Sequence, residues 1–334
     1  MRRHGVAVRP HVKTHKIPEL ASLQLALGAT GITVATVAEA RAFAEAGIDD
    51  IFVAYELADP TQIAELLPLA DRTRISVAVD SLEGARLLSE GAHEHGIDLE
   101  VVLEIDLGIG RTGVRAEGAT TMAREIAKLR GLVLVGVFGF RGVYPFAQRN
   151  EHNLGSWGRE EGEILVACAQ RLRDAGHDLT RVSAGSTPTA LPAATVKGIT
   201  EVRPGQYLLG CANVFAQGAM RPEQAALFVR ATVMSRPEET RAVVDAGTKA
   251  LSADEPWRPG DGYGYLVDDP ASRLMRLWEE HGVIELSPDS RSLRVGDRVS
   301  IVPNHVCSTV NMHERLMAMR AGRVEALWTV RARR

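Results

Sequence analysis

Near its start the chain reads Arg9-Pro10-His11-Val12-Lys13-Thr14-His15-Lys16. This octet follows the short apolar run 6–8, which predicts a strand, and it leads to Pro18, which is typical of the first turn of a helix. A lysine at the end of a strand is well placed to project into a site above a β/α barrel. The octet therefore predicts a strand, a loop and a helix, with a lysine at the functional end of the strand.

Lysine is scarce elsewhere in the chain. There are only five lysines among 39 basic residues, and two of them, Lys13 and Lys16, lie in the octet. A lysine amine can lose its proton and form a Schiff base, whereas an arginine side chain effectively cannot. From these residues alone the octet is either the site of a reactive lysine or a basic strand end whose lysines are solvated.

The totals describe an ordinary folded chain of 334 residues, with 45% hydrophobic and 24% charged residues. The net charge of −3 gives no support for binding to nucleic acid or to an anionic membrane surface, and neither partner is expected. No apolar run approaches the roughly 18 residues of a membrane span, and residues 1–5 lack the apolar core of a signal peptide. Cys168, Cys211 and Cys307 are far apart and odd in number, which predicts reduced thiols in a cytoplasmic protein.

Strand-like and helix-like stretches alternate from about residue 30. Apolar runs such as 74–79 and 99–105 are each followed by a helical stretch, which predicts parallel βαβ units with both sheet faces covered. The sustained repetition favours a closed β/α barrel over an open doubly wound sheet. After about residue 219, short strands such as 241–245 and 298–302 follow one another with few helices between them, which predicts an antiparallel domain.

The octet resembles the lysine motif of the D-threonine aldolase and D-serine dehydratase family, whose members are relatives of the alanine racemase barrel and use pyridoxal 5′-phosphate (PLP). The resemblance implies a PLP-binding β/α (TIM-type) barrel over residues 1–222, followed by a metal-binding antiparallel β domain over residues 223–334. In this family the first lysine of the octet, here Lys13, carries PLP and is the catalytic residue. Family members usually have a further segment before the lysine strand, which leaves open whether Met1 is the native start.

Two loops after predicted strands match other cofactor contacts of the family. The loop 106–115 places Arg111 between glycines, and the resemblance assigns this arginine to the phenolate oxygen of PLP. The turn 184–189 offers small residues, amides and hydroxyl groups, which suit a phosphate dianion. The resemblance makes the phosphate ligands Gly185, Ser186 and Thr187. Without it, Arg111 is a surface arginine and the turn is an ordinary turn.

Two further positions concern the cofactor ring. Tyr207 completes the family's Arg-Pro-Gly-x-Tyr pattern, and it is a candidate either for the cofactor pocket or for packing. Arg141 stands where family members usually have a tyrosine and a Gly-His step, and Tyr144 follows a little later. An arginine beside the ring nitrogen would keep that nitrogen unprotonated, as in alanine racemase, and would weaken the electron sink. Arg141 therefore puts the substrate and the reaction type in question.

His305 and Cys307 form a candidate metal site. Imidazole and thiolate groups two residues apart at a strand end are good donors and leave open positions for water or substrate. Isolated His-x-Cys pairs also arise by chance, but the dehydratases of the family use this pair for zinc. The expected metal is therefore zinc, with manganese as the alternative. His11 and His15 flank Lys13 and are either near the cofactor or simply packed.

The resemblance implies a PLP- and metal-dependent lyase that acts on small D-3-hydroxy amino acids. Because the aldolases more often have an aspartate at the second metal position, Cys307 favours the dehydratase reaction, which gives a 2-oxo acid and ammonia. The first alternative is aldolase cleavage to glycine and an aldehyde. An amino-acid racemase and a non-catalytic PLP-binding protein are more distant alternatives. The resemblance also implies a homodimer.

Overall fold

The computed structural model describes residues 1–142, 153–290 and 292–333. The chain divides into two compact units, Met1–Gly205 and Gln206–Arg334. The domain limits expected from the sequence, 1–222 and 223–334, remain a prediction. Among the residues that the structure describes, no helix combines the length and the apolar character needed to cross a membrane.

Strands and helices alternate in the first unit, as the apolar runs predict. The strands are β1 (Ala7–Val8), β2 (Ile32–Val34), β3 (Asp50–Glu56), β4 (Arg74–Val79), β5 (Leu99–Ile105), β6 (Leu132–Gly139), β7 (Arg181–Ala184) and β8 (Glu201–Val202). The helices are α1 (Pro18–Ala26), α2 (Val37–Glu45), α3 (Pro60–Leu66), α4 (Leu82–His95), α5 (Ala119–Ile126), α6 (Leu154–Asp174) and α7 (Ala190–Ala193).

Local side-chain caps fix where several of these helices begin and end. Thr36 accepts a hydrogen bond from the Glu39 amide at the start of α2, and Ser81 accepts one from the Gly84 amide at the start of α4. Gly96 ends α4 with a φ of 75°, a conformation that glycine adopts without strain. These caps set the helices between successive strands and leave the strand ends to the connecting loops.

The eight strands form one parallel sheet in the order β1-β8-β7-β6-β5-β4-β3-β2. An isolated parallel bridge between His11 and Thr33 links its two edge strands, and the Thr33 amide donates to the Pro10 carbonyl at 2.8 Å. The predicted β/α (TIM-type) barrel is confirmed. Its closure lies in the octet itself, directly beside Lys13.

Side chains from alternate strand positions fill the two faces of this sheet. Phe52, Ala78, Val102 and Phe138, from four neighbouring strands, form a small cluster on one face. The residues next to them in sequence, such as Ile51 and Val101, belong to the larger core under the helices. Both faces are therefore buried, as expected for an all-parallel sheet.

The second unit is mainly antiparallel, which confirms the predicted β domain. Its strands are β9 (Val229–Glu238), β10 (Arg241–Val244), β11 (Gly264–Leu266), β12 (Arg273–Leu277), β13 (Gly282–Glu285), β14 (Arg298–Pro303), β15 (Arg315–Arg320) and β16 (Arg323–Thr329). Its helices are α8 (Ala212–Ala216), α9 (Thr248–Leu251) and α10 (Val306–Met312). Strands β9–β14 close into a barrel in the order β10-β13-β12-β11-β14-β9, and β15 and β16 form a separate hairpin.

Two details differ from the sequence prediction. Helix α6 begins at Leu154, whereas the sequence predicts a helix from about Glu160 to Ala175; the added first turns are packed, since Leu154 and Trp157 are buried. Strand β14 ends at Pro303, so Cys307 lies in the first turn of α10 instead of at a strand end.

Candidate active site

Lys13 lies in a single 3-10 turn, Val12–Thr14, directly after β1. Arg9, the first residue of the octet, forms two ion pairs that fix its position: its guanidinium group lies 2.6 Å from Asp50 Oδ1 and 2.9 Å from Glu201 Oε2. The Lys13 side chain is exposed, and no described residue forms a hydrogen bond or an ion pair with its Nζ. Its amine is therefore available for chemistry.

Lys16 has the opposite environment. It is buried, with its Nζ 3.3 Å from Glu39 Oε1, and its backbone has a φ of 54°, which is unusual for a residue other than glycine. Glu39 Oε2 also accepts a hydrogen bond of 2.7 Å from the Ala35 amide. The ion pair ties the octet to the start of α2, so Lys16 has a structural role.

The two histidines of the octet differ in the same way. His15 is buried, accepts from the Ile17 amide at 3.0 Å and lies 3.2 Å from Gln24 Oε1; burial lowers its pKa to about 4. His11 has a buried Nδ1 that makes no hydrogen bond to any described residue. Burial lowers the pKa of His11 well below its usual value, and the nearby cations Lys13, Arg203 and Arg111 lower it further. His15 is thus packed, whereas neutral His11 lies among the predicted cofactor contacts.

Arg111 lies on a loop whose backbone amides are hydrogen-bonded to two aspartate side chains. Asp106 Oδ1 accepts from the amides of residues 108, 109 and 110, and Asp80 Oδ2 accepts from the Gly113 amide at 3.1 Å. A Cβ atom at Gly113 would lie 2.7 Å from the Asp106 nitrogen, so only glycine fits there. The Arg111 guanidinium lies 3.5 Å from Glu104 Oε1 and 5.2 Å from the centre of the Phe140 ring.

The predicted phosphate loop follows β7. Gly185 has a φ of 86°, and its amide donates to Glu161 Oε1 at 2.8 Å. The Ser186 amide donates to Thr189 Oγ1 at 3.0 Å, and the Ser186 hydroxyl lies 3.1 Å from the same oxygen. The amides of Gly185 and Ser186 are therefore already used, the first by Glu161 of α6 and the second by Thr189. The assignment of Gly185, Ser186 and Thr187 remains a prediction.

Arg141 and Tyr207 are the two predicted contacts of the cofactor ring. Arg141 follows β6, is largely buried and forms an ion pair with Glu160 of α6. Tyr207 lies in a short 3-10 turn, Gln206–Leu208, of the second unit and is partly buried. Tyr144 lies outside the described residues. The roles of Arg141 and Tyr207 beside the cofactor remain predictions.

Sequence reasoning missed two buried charged residues in this region. Arg203 is buried, donates to Ser183 Oγ at 2.6 Å and to the Gly139 carbonyl at 2.7 Å, and lies over the Phe138 ring. Glu161 of α6 is fully buried, and its Oε2 has no hydrogen-bond partner in the described part of the chain. Burial raises the pKa of Glu161, although Thr189 and the Gly185 amide oppose the rise. Arg203 stands in the Arg-Pro-Gly motif, which was a usable signal, whereas Glu161 lies in a charged stretch that resembles a solvated helix face.

His305 and Cys307 lie together in the second unit. His305 is the residue before α10, and its side chain makes no capping hydrogen bond to the helix. Cys307 follows in the first turn of α10, and the imidazole hydrogen-bonds both the Cys307 sulfur and that of buried Cys211. Burial lowers the pKa of His305, but the two sulfurs more than offset this and raise it well above its usual value. Within the described ranges no group of three or more His, Cys, Asp or Glu side chains has the geometry to hold a metal ion. Cys211 therefore contacts the imidazole without completing a three-residue site.

The chain matches two known protein families. Residues 1–213 match the family of the alanine racemase N-terminal domain, and residues 226–319 match a putative serine dehydratase domain. The chain belongs to the alanine racemase N-terminal domain family. The suspected kinship with the D-threonine aldolases and D-serine dehydratases is confirmed, because both domains and the relatives below agree with it.

Several relatives extend over almost the whole chain. A D-threonine aldolase from an Arthrobacter species is 34% identical over 99% of this chain and 86% of its own length. A D-threo-3-hydroxyaspartate dehydratase from Delftia sp. (strain HT23) is 34% identical over 92% of this chain and 86% of its own length. The crystal structure of the D-threonine aldolase from Filomicrobium marinum superposes with a TM-score of 0.89 and 31% identity, over 99% of this chain and 90% of that one.

Solved structures of D-threo-3-hydroxyaspartate dehydratase are also similar to this chain, and one of them is from Delftia sp. HT23. They include a mutant with a histidine replaced by alanine and a mutant in the metal-free form with a cysteine replaced by alanine, and the numbers of the two altered positions differ by two. The metal-free variant superposes with a TM-score of 0.90 and 32% identity, over 98% of this chain and 91% of that one.

The residues present fit both PLP and a metal ion. For PLP, Lys13 offers an exposed amine, the buried Nδ1 of His11 has no hydrogen-bond partner among the described residues, and the glycine turn at Gly185 follows β7, which is separated from β1 by one strand of the sheet. For the metal, one imidazole and one thiol form a borderline-soft donor pair of the kind that zinc accepts. A pair of protein ligands also leaves coordination positions for water or substrate.

Proposed function

We propose that this protein is a PLP-dependent lyase of D-3-hydroxy amino acids and that it dehydrates them to a 2-oxo acid and ammonia. The observation that carries the reaction type is the contact of Cys307 with His305. The second donor of the pair is a thiol, as in the dehydratases of the family, whereas the aldolases more often have an aspartate at this position. The family relatives support the substrate class, since their names are D-threonine aldolase, D-threo-3-hydroxyaspartate dehydratase and D-serine dehydratase.

PLP, when bound, supplies an electron sink for the negative charge that develops at the substrate α-carbon. The Lys13 Nζ holds the cofactor and, once released by the substrate, takes the α-proton. Arg111 would hold the phenolate oxygen of the cofactor, and Gly185, Ser186 and Thr187 would hold its phosphate.

A divalent metal, when bound, supplies Lewis acidity toward an oxygen ligand. His305 and Cys307 hold it through nitrogen and sulfur, which favours zinc over manganese because thiolate is the softer donor. A solved D-threo-3-hydroxyaspartate dehydratase mutant in the metal-free form has a cysteine replaced by alanine, which supports the sulfur ligand. The β-hydroxyl group of the substrate is the ligand expected in an open position.

Aldolase cleavage is the second candidate. It is favoured by the D-threonine aldolase from Arthrobacter, which matches 99% of this chain. The same protein residues serve this reaction if the β-hydroxyl group is deprotonated and the Cα–Cβ bond breaks, which gives glycine and an aldehyde.

The test is product analysis of the purified, PLP-loaded protein with D-serine and D-threonine, before and after chelation and again after zinc is restored. Dehydration predicts pyruvate from D-serine and 2-oxobutyrate from D-threonine, each with one equivalent of ammonia, and loss of both after chelation. Glycine with acetaldehyde from D-threonine would contradict the dehydratase assignment and establish the aldolase. A rate that survives chelation would contradict the metal role of His305 and Cys307.

A further inference from the structure

Three carboxyl groups from neighbouring strands surround the base of the Arg111 loop. Glu56 ends β3, Asp80 follows β4, and Glu104 lies in β5. Glu104 is almost fully buried, and its Oε1 lies 3.5 Å from Arg111 Nη2. A register shift after Val53 brings Glu56 level with Ala78 of β4, where its carboxyl group hydrogen-bonds that of Glu104.

Two carboxyl groups in hydrogen-bond contact are not both ionised, because like charges at this separation repel strongly, and here Glu104 is buried and Glu56 is partly buried. One of them must keep a proton to make the hydrogen bond. Burial raises the pKa of Glu56 to about 9, and the contact with Glu104 adds to the rise. Glu56 is therefore the protonated donor, and Glu104 presents its negative charge to Arg111.

Arg111 depends on this arrangement because little else fixes its side chain. Its guanidinium is more than half exposed, and in the described part of the chain its close contacts are the Glu104 carboxylate and the face of the Phe140 ring. Asp80 is already used, since it accepts from the Gly113 amide of the loop backbone.

We propose that Glu104 is the positioning residue of Arg111 and that protonated Glu56 holds Glu104 in place, so that the pair presents one negative charge to the guanidinium. This inference rests on the proposed function, in which Arg111 contacts the phenolate oxygen of PLP. Glu104 and Glu56 act on PLP through Arg111 and take no direct part in the reaction.

The same isosteric change, glutamate to glutamine, is expected to affect PLP affinity differently at Glu56 and at Glu104. Glu56→Gln keeps a neutral hydrogen-bond donor toward Glu104 and is expected to bind PLP within about twofold of the unaltered protein. Glu104→Gln removes the charge that faces Arg111 and is expected to weaken PLP binding by about tenfold. Glu100→Gln, the same change at the opposite end of β5, is the matched control and is expected to leave PLP affinity unchanged.

The experiment is a double-mutant cycle with Arg111→Gln, in which PLP affinity is read by absorbance titration of the apo protein and folding is checked by circular dichroism. If Glu104 acts through Arg111, the Glu104→Gln effect disappears in the Arg111→Gln background. Equal effects of Glu56→Gln and Glu104→Gln, or additive effects of Glu104→Gln and Arg111→Gln, would overturn the inference.

The cycle separates this inference from the proposed function. If Arg111→Gln weakens PLP binding but Glu104→Gln does not, only the positioning role is wrong. If Arg111→Gln leaves PLP affinity unchanged, the cofactor role of Arg111 is wrong and the inference falls with it. Should Glu104→Gln fail to fold, Glu104→Asp takes its place; its charge on a shorter side chain predicts a smaller weakening that again disappears in the Arg111→Gln background.

Discussion

At the scale of single residues, the octet contains two lysines with opposite surroundings. Lys13 is exposed beside neutral His11, whereas Lys16 is buried against Glu39. The sequence could point to the octet through its scarce lysines, and the resemblance singled out the first of them. The sequence could not show why Lys16 is unsuited to carry PLP, because Glu39 is far along the chain and its ion pair with Lys16 exists only in the folded barrel.

These surroundings predict that alanine substitution of Lys16 and of Lys13 will lower the free energy of unfolding by different amounts. Lys16→Ala leaves a buried carboxylate without its cation and is expected to lower the free energy of unfolding by about 3 kcal/mol. Lys13→Ala removes an exposed side chain and is expected to change that free energy by less than about 0.5 kcal/mol. Urea denaturation of the two apo variants measures both values. A Lys13→Ala variant that is the less stable of the two would contradict the assigned roles.

Glu56 predicts a pH dependence of stability. Burial raises the pKa of Glu56 from 4.5 to about 9, so the folded state binds this proton more tightly than the unfolded chain does. The stabilisation is fully present below about pH 4.5 and is lost as the pH rises through about 9. The carboxyl groups of Glu104 and Asp80 face Glu56 and keep its proton in place, while Arg111 faces Glu104.

Glu56→Gln removes this titration. The unfolding free energy of the unaltered apo protein is therefore expected to fall relative to that of Glu56→Gln between about pH 4.5 and pH 9. Denaturant titrations of both proteins at several pH values measure the difference. Parallel curves across this range would show that Glu56 does not hold the proton.

At the scale of elements, helix ends were predictable where local chemistry fixes them. The helical stretch predicted after the apolar run 74–79 is α4, which Ser81 caps at its start and Gly96 ends. Helix α10 was missed because Val306, Thr309 and Val310 are β-branched and resemble a strand. The helix forms instead with Thr309 Oγ1 donating to the Leu251 and His305 carbonyls, contacts that sequence alone does not reveal.

The glycine turn after β7 predicts a cofactor-specific defect. Gly185→Ala introduces a Cβ atom 3.0 Å from the Ala190 Cα at a φ of 86°, and Gly176 offers a matched control with a φ of 92° and no atom within 4 Å of an added Cβ. Both substitutions are expected to lower stability by about 1 kcal/mol, because alanine is strained at positive φ.

Only Gly185→Ala is also expected to weaken PLP binding, by roughly tenfold, because the shifted turn displaces the phosphate contacts. Thermal unfolding and PLP titration measure the two effects separately. An unchanged PLP affinity in Gly185→Ala would remove the turn from the phosphate site.

At the scale of the whole molecule, the parallel and antiparallel domains could be predicted from the sequence, but their closure could not. The first sheet joins its edges through one bridge at His11, and the second unit closes with a strand order that local patterns do not specify. The hairpin β15–β16 was not predicted, because its short strands continue directly from a helix that was also missed. Strand pairing depends on contacts between distant parts of the chain, which explains each of these gaps.

The hairpin supports the predicted homodimer. Met317 pairs with Leu327 and Met319 with Val324, and all four side chains are more than half exposed. An isolated two-stranded sheet is only marginally stable in water, and an exposed apolar face of this kind is typical of a protein interface. We propose that a second copy of this chain covers the face.

This proposal predicts a particle of twice the chain mass in light scattering. Met317→Glu combined with Leu327→Glu is expected to shift it to the mass of one chain, whereas Leu27→Glu, at an equally exposed apolar position on the first unit, is expected to leave the dimer intact. A monomer before substitution, or a dimer that survives the double change, would contradict the proposed interface.

The central claim is that Lys13 carries PLP, and the most direct measurement is to locate the cofactor on the chain. Borohydride reduction of the PLP-loaded protein fixes the C=N link as a stable amine, and mass spectrometry of peptides cut at acidic residues then identifies the modified lysine. We predict the modification on Lys13 in the unaltered protein and its loss in Lys13→Ala. Modification of Lys16, or an unmodified octet in protein that has bound PLP, would contradict the assignment.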